Sequence, residues 1–138
     1  MTPLAAIDLH VRDVRPFVGA ADFAVSKAFY LALGWQAEYE DARLALLANG
    51  SHRFYLQNAY AKEWVENTML HVTVADAAAA HAQVRALLDT GRFGSARVAP
   101  PKREAYGALV TYVWDPAGVL LHLAQWLGDR PVAGTAQA

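Results

Sequence analysis

The complete absence of cysteine limits the chemistry that this 138-residue chain can perform. It has no disulfide framework, no thiolate nucleophile and no cysteine-ligated zinc or iron–sulfur centre. Among its five histidines, His71 and His122 lie in segments with strand-like alternation. An imidazole there can act as a general acid or base or bind a metal ion. The alternative for both residues is a core histidine that donates to a backbone carbonyl.

Aromatic residues are the second marked feature, with four Trp, six Tyr and five Phe. Trp and Tyr combine a flat apolar ring with one polar group, so they suit either a core or a binding cleft. Six of them flank the fourth and seventh predicted strands: Tyr55, Tyr60, Trp64, Tyr106, Tyr112 and Trp114. We interpret these six as candidates for lining a ligand groove. The alternative is that they seal a dimer interface or a junction within the chain.

Composition excludes several other classes of protein. Lys and Arg number 12 against 13 Asp and Glu, a net charge of -1 that argues against a nucleic-acid-binding protein. No segment approaches the roughly 20 apolar residues of a membrane span, and the N-terminus lacks the pattern of a secretory signal. We therefore expect a cytoplasmic protein with no membrane partner. A hydrophobic fraction of 55% is enough for a packed core.

Two helices are predicted by their capping residues. One spans Phe23 to Leu33 after Asp22, and the other spans Ala77 to Thr90 after Asp76. In both, an N-capping carboxylate precedes apolar residues at helical spacing and a glycine follows the last turn. The two segments also align with each other as a partial repeat.

The surroundings of the two helices repeat as well. Alternating or apolar segments predict eight strands: Arg15–Ala21, Gln36–Glu40, Leu44–Ala48, Phe54–Gln57, Met69–Val74, Ala96–Ala99, Leu109–Trp114 and Val119–Trp126. The turns Asn49-Gly50 and Asp115-Pro116-Ala117-Gly118 separate the last two strands of each half. Each half is therefore predicted to have the element order βαβββ. We predict one domain over residues 1–127, with modules at about 12–58 and 69–127, a linker at 59–68 and a flexible tail at 128–138.

This repeated unit resembles the vicinal oxygen chelate superfamily of glyoxalase, bleomycin-resistance and dioxygenase proteins. The resemblance rests on Asp22, Ser26 and Ala28-Phe29-Tyr30 in the first helix and on Asp115-Pro116-Ala117-Gly118-Val119-Leu120 before the last strand. It implies an α+β fold in which two βαβββ modules form a curved, cupped mixed sheet, usually in a homodimer. The superfamily includes metal-dependent enzymes and metal-free binding proteins, so fold alone does not decide between them.

The positions that the resemblance assigns to metal ligands carry unsuitable side chains. Counted from the helix caps and the last turn, they are Arg15, Met69, His122, and either Phe54 or Tyr55. An arginine cannot coordinate a cation, and a thioether or an aromatic ring is a poor ligand for a hard divalent ion. We therefore predict no metal and no other cofactor. The alternative is a divalent metal held by His71 and His122.

These observations favour a metal-free binding protein related to antibiotic resistance. It would sequester a drug or natural product, such as an aromatic or peptide antibiotic, between aromatic side chains. Arg15 could anchor an anionic group or could simply face solvent at a sheet edge, and the loop Pro100–Gly107 is a candidate lid. The alternative is an enzyme, either a lyase or isomerase, a thiol transferase or a dioxygenase. It would use His71 and His122 as metal ligands or His122 as a catalytic acid or base.

Overall fold

The computed structural model describes residues 2–128, which form an α+β fold of two successive modules. Residues 129–138, nearly all of the predicted tail, lie outside the described range. The first module and the linker contain β1 (Phe17–Gly19), α1 (Phe23–Ala32), β2 (Gln36–Glu40), β3 (Leu44–Asn49), β4 (His52–Gln57) and α2 (Lys62–Val65). The second contains β5 (Met69–Thr73), α3 (Ala77–Leu88), β6 (Arg97–Val98), β7 (Lys102–Glu104), β8 (Ala108–Trp114) and β9 (Leu120–Trp126). No helix within residues 2–128 is long and apolar enough to cross a membrane.

Both long helices begin where the capping residues predict. The Asp22 side chain accepts from the Val25 N–H at 3.2 Å, and that of Asp76 accepts from the Ala79 N–H at 2.9 Å. Each carboxylate thereby satisfies an amide that has no partner within its helix. The helices end one or two residues before the predicted bounds, at Ala32 and Leu88.

Two segments that were predicted as irregular contain secondary structure. The linker forms the one-turn helix α2, in which Val65 is fully buried against the core. The candidate lid contains β7. Both β6 and β7 pair with β8, but the register of β7 is shifted by one residue relative to that of β6. The break between β6 and β7 is Pro100-Pro101, where neither residue has an N–H to donate to the ladder. The predicted strand is therefore present as β6, and the candidate lid continues the same edge of the sheet through β7.

The strands form two mixed sheets with equivalent topology. The first sheet has the order β1-β4-β3-β2, and the second has β5-β9-β8-β6 with β7 also on β8. In each sheet the module's first strand runs parallel to its last, while the other pairs are antiparallel. The first and last strands of a module are thus neighbours, which brings the histidines of β5 and β9 together.

One hydrophobic core is shared by both modules. Phe29 of α1, fully buried as predicted, packs edge-on against Phe93 of the second module with ring centroids 5.3 Å apart. The Tyr30 hydroxyl donates to the buried Asp115 carboxylate at 2.7 Å. The other oxygen of Asp115 accepts the N–H groups of residues 117, 118 and 119. Burial raises the pKa of Asp115, and these hydrogen bonds oppose that rise. Both sheets therefore turn one face toward this core, and we call the opposite face of each its outer face.

Candidate functional site

The outer face of the second sheet carries an aromatic cluster, which we define as His71, Tyr106, Tyr112, His122 and Trp126. His122 of β9 lies between its register partners, His71 on β5 and Tyr112 on β8. The ring centroids of His71 and His122 are 5.9 Å apart, and those of Tyr112 and His122 are 5.0 Å apart. Trp126 lies 5.5 Å from His71 and 5.7 Å from Tyr106. The five rings form a nearly continuous aromatic surface.

Small side chains form the floor beneath these rings. Ala108, Val110 and Ala124 are fully buried, and Tyr112 and Trp126 pack against them. Because these residues project little from the sheet, larger neighbouring rings can lie across them. A ligand would therefore meet ring faces rather than the sheet backbone.

Hydrogen bonds at their tips orient the two rings that cover the floor. The Trp126 indole N–H donates to the Thr73 hydroxyl at 3.2 Å, and the Tyr112 hydroxyl donates to the Glu104 carboxylate. Each bond restricts a side chain that is already packed on one side. A surface held in this way loses little conformational entropy when a flat ligand binds.

Burial and nearby charges favour the uncharged forms of three residues of the aromatic cluster, His122, Tyr112 and Tyr106. Burial lowers the pKa of His122 from 6.5, the charge of His71 lowers it further, and Glu104 partly offsets both. Burial, together with the hydrogen bond and charge of Glu104, raises the pKa of Tyr112 to about 12. The pKa of Tyr106 is also raised, by burial first and then by Glu104. At pH 7 these shifts favour the neutral forms of His122, Tyr112 and Tyr106.

The donors near this surface do not fit a hard divalent ion. The His122 Nε2 lies 3.3 Å from the Met69 sulfur, and the Glu104 carboxylate accepts from the Tyr112 hydroxyl. Within residues 2–128 no group of three or more His, Asp or Glu side chains could hold a metal ion. Arg15 and Tyr55 lie on the first sheet, where the Arg15 guanidinium donates to the Tyr55 hydroxyl at 3.1 Å. Two imidazoles and a thioether lack the oxygen donors that such an ion prefers.

The outer face of the first sheet carries a smaller aromatic surface. Phe17 and Tyr55 stack with centroids 4.8 Å apart and planes inclined by 19°, and Phe17 is half exposed. Arg15 also forms an ion pair with Asp13 at 2.7 Å, and nearby Arg53 pairs with Glu38. Both of these guanidinium groups therefore have a carboxylate partner.

The remaining candidate residues lie in different surroundings. Tyr60 is exposed, and its hydroxyl donates to Glu66 at 3.2 Å. Trp64 packs against the shared core beside β1, a position that matches the alternative interpretation of a module junction. Trp114 is on the outer face of the second sheet, under the guanidinium of Arg97. Of the six aromatic candidates, the structure brings Tyr106 and Tyr112 into the aromatic cluster.

The sequence analysis missed Trp126 and Glu104. The alternation of His122, Ala124 and Trp126 along the last strand was a sufficient signal for Trp126. The role of Glu104 depends on the one-residue shift after Pro100-Pro101, which no local pattern reveals.

A cleft of about 770 Å³ lies on the core side of β5, between the two modules. Its wall includes Leu70, Val72 and Leu121, and its rim includes Asp76 and Arg53. Those two rim charges already have partners, since Asp76 caps α3 and Arg53 pairs with Glu38. We place the candidate site on the outer face of the second sheet because five aromatic rings lie together there.

Sequence comparison does not identify this chain. No family model matches the sequence, and no curated protein matches it.

Comparison of structures reveals the shared fold. A bleomycin resistance determinant encoded on transposon Tn5 superposes with a TM-score of 0.67 at 21% identity, over 83% of this chain and 98% of that one. The bleomycin-binding protein of Streptomyces verticillus, complexed with copper(II)-bleomycin, gives 0.69 at 22% identity over 86% and 99%. A glyoxalase/bleomycin resistance protein/dioxygenase from Nocardioides gives 0.66 at 16% identity over 91% of both chains. The two-module arrangement is therefore common to all of these proteins.

Proposed function

Because the chain has the fold of the vicinal oxygen chelate superfamily, we propose that it is a cytoplasmic, metal-free protein that sequesters a small aromatic natural product or drug. One observation carries this proposal: five aromatic rings form one surface over buried small side chains, and hydrogen bonds hold two of the rings in place. Such a surface gives a planar ligand a large contact area at low entropic cost. Protection against the drug would come from stoichiometric binding, and no bond of the drug would be broken.

Two similar solved structures support an antibiotic as the ligand class. Both are bleomycin-binding proteins in complex with bleomycin or its copper(II) form. Identity to this chain is only 21% and 22%, so the ligand itself does not carry over. We extend only the class to this chain, an aromatic or peptide antibiotic.

We further propose that a homodimer completes the site. The aromatic cluster is open, with Tyr106 38% exposed, and the outer face of the first sheet is similarly uncovered. The segment before β1 also exposes apolar side chains, including Leu4, Ile7 and Leu9. A second copy of the chain would cover these surfaces and form two equivalent grooves, each between a first and a second sheet.

Titration of intrinsic tryptophan fluorescence with a panel of bleomycin-type, peptide and planar aromatic antibiotics tests the proposed function. We expect saturable binding at one ligand per chain, with the compound recovered unchanged by mass spectrometry. Tyr106→Leu should weaken binding about tenfold through loss of ring contact. Leu31→Ala, which removes an exposed apolar side chain from α1 and so from neither outer face, is the control. Absence of saturable binding across the panel, or equal effects of both variants, would refute the proposal.

The alternative of an enzyme rests on the proximity of His71 and His122, whose rings are 5.9 Å apart. Elemental analysis of protein purified without chelator separates it from sequestration. Near-stoichiometric metal that disappears in His122→Ala, together with conversion of a bound compound, would favour the enzyme and contradict our proposal.

A further inference from the structure

Arg97 lies directly over the face of Trp114, with its guanidinium carbon 4.2 Å from the ring centroid. Arg97 opens the edge strand β6 and is the register partner of Trp114, so both side chains project from the outer face of the second sheet. Stacking leaves the edge of the guanidinium plane, where its N–H groups point, available to an acceptor.

The guanidinium of Arg97 lacks an anionic partner among residues 2–128. Arg15 and Arg53 each form an ion pair with a carboxylate, and Arg85 donates to the Val98 carbonyl. Arg97 has neither an ion pair nor a side-chain hydrogen bond within that range. A stacked guanidinium with unused donors is well arranged to bind a planar oxyanion through two parallel hydrogen bonds.

Arg97 is at one end of the aromatic cluster. Trp114 is two residues from Tyr112 on the same face of β8, a step of about 7 Å along a strand. A polar hollow of about 380 Å³ adjoins it, lined by Arg97, Trp114, Ser95, Gly118 and Glu66 among others. A ligand with its ring on His122 and Tyr112 could therefore place a substituent beside Arg97.

Arg97 provides a positive charge at this end of the site, and the nearby carboxylates already have partners. Lys102, the register partner of Val110, shares the outer face but lies on the other side of Tyr112, four positions along β8 from Trp114. The Glu104 carboxylate on the same face accepts from Tyr112, and Glu66 in the hollow pairs with Lys62 and accepts from Tyr60. An anionic group would meet a free guanidinium there, and a cationic group would meet like charge.

We propose that the ligand of this protein is an aromatic acid whose carboxylate, or an equivalent oxyanion, binds Arg97 while its ring lies on the aromatic cluster. The inference rests on the proposed function and narrows its ligand class. It distinguishes this site from one that is selective for polycationic compounds. A site of that kind would require surplus carboxylates.

Three probes with one ring system test the charge preference: 2-naphthoate, 2-naphthamide and 2-naphthylmethylammonium, each titrated into the full-length protein by calorimetry. We expect the carboxylate to bind about tenfold more tightly than the amide, and the ammonium to bind most weakly. Raising the ionic strength should weaken binding of the naphthoate and leave the amide unaffected.

Two variants locate the effect. Arg97→Gln should lower the affinity for naphthoate to that for the amide, and leave binding of the amide unchanged. Arg103→Gln is the matched control, because Arg103 pairs with Leu109 and projects from the opposite face of the same edge. It should retain the preference for the acid.

The outcomes separate this inference from the proposed function. Equal affinity for all three probes, or a preference for the acid that survives Arg97→Gln, would overturn the role of Arg97 while aromatic binding stood. No saturable binding of any probe, with a well-folded protein by circular dichroism, would overturn the aromatic-acid inference, whereas the antibiotic panel decides the proposed function.

Discussion

At the scale of single residues, the chemistry of His122 follows from its neighbours on adjacent strands. Strand alternation predicts its face, and the structure places it between His71 and Tyr112. Burial, and secondarily His71, keeps its imidazole neutral by lowering its pKa. A neutral ring presents an aromatic face to a ligand without an ordered counterion. The sequence thus predicts the face on which His122 lies. It does not predict the protonation of His122, because that depends on the neighbours that cross-strand register brings to it.

The pKa of His122 should rise when His71 is replaced by glutamine, since this removes the charge that opposes protonation. The value should remain below 6.5, because burial is the larger cause. Proton NMR titration of the imidazole signals measures both values. His52→Gln, on the first sheet, is the control and should leave the pKa of His122 unchanged.

The same shift makes folding depend on pH. The folded pKa of His122 is below the unfolded value of about 6.5. Its contribution to the free energy of unfolding is therefore intact above that pH and is lost as the pH falls through the folded pKa. Part of this acid sensitivity should disappear in His71→Gln. A His122 pKa that does not change in this variant would contradict the proposed charge coupling.

At the scale of elements, local signals predict the parts of the fold that local interactions stabilise. Asp22 and Asp76 cap helices at the predicted positions, and β2 has the predicted bounds. The helix α2 was missed because a single turn is unstable alone and depends on packing of Val65 against the core. The strand β7 was missed because Pro100-Pro101 is typical of a loop. Both elements depend on tertiary contacts that propensity does not encode.

Close packing of α2 on β1 should make Gly19 intolerant of substitution. A Cβ at this position would lie 2.6 Å from a ring carbon of Trp64 and 2.7 Å from the Ala59 carbonyl oxygen. Because the Ala59 oxygen belongs to the backbone, relief requires the chain at Ala59 to move as well as the Trp64 side chain of α2. Gly19→Ala should reduce the free energy of unfolding by about 1–3 kcal/mol, measured by urea denaturation.

Gly94→Ala provides the comparison for this prediction. A Cβ there meets no atom within 4 Å. The replacement should leave stability unchanged or raise it by up to about 1 kcal/mol, since it restricts the unfolded chain. Similar losses in both variants would show that α2 is not tightly packed on β1.

At the scale of the whole molecule, the shared core determines where a site can form. Phe29 contacts Phe93 and Tyr30 bonds to Asp115, so the inner faces of both sheets are joined within one chain. The outer faces, with Tyr55 on the first sheet and His122 on the second, are directed away from that core. The repeat in the sequence predicted two modules, but it could not show which faces pack together. Equivalent apolar positions occur on both modules, and only three-dimensional packing selects among the possible pairings.

If each groove forms between the first sheet of one protomer and the second sheet of its partner, two lesions should complement each other in a heterodimer. Tyr55→Ala alters the first sheet and Trp126→Ala the second, so either homodimer has two impaired grooves. In the mixed dimer one groove carries both changes and the other carries neither. Calorimetry on tagged, purified heterodimer should then find one site per dimer at wild-type affinity. If each groove were instead closed within a single chain, every groove would carry one lesion, and no site of wild-type affinity would appear.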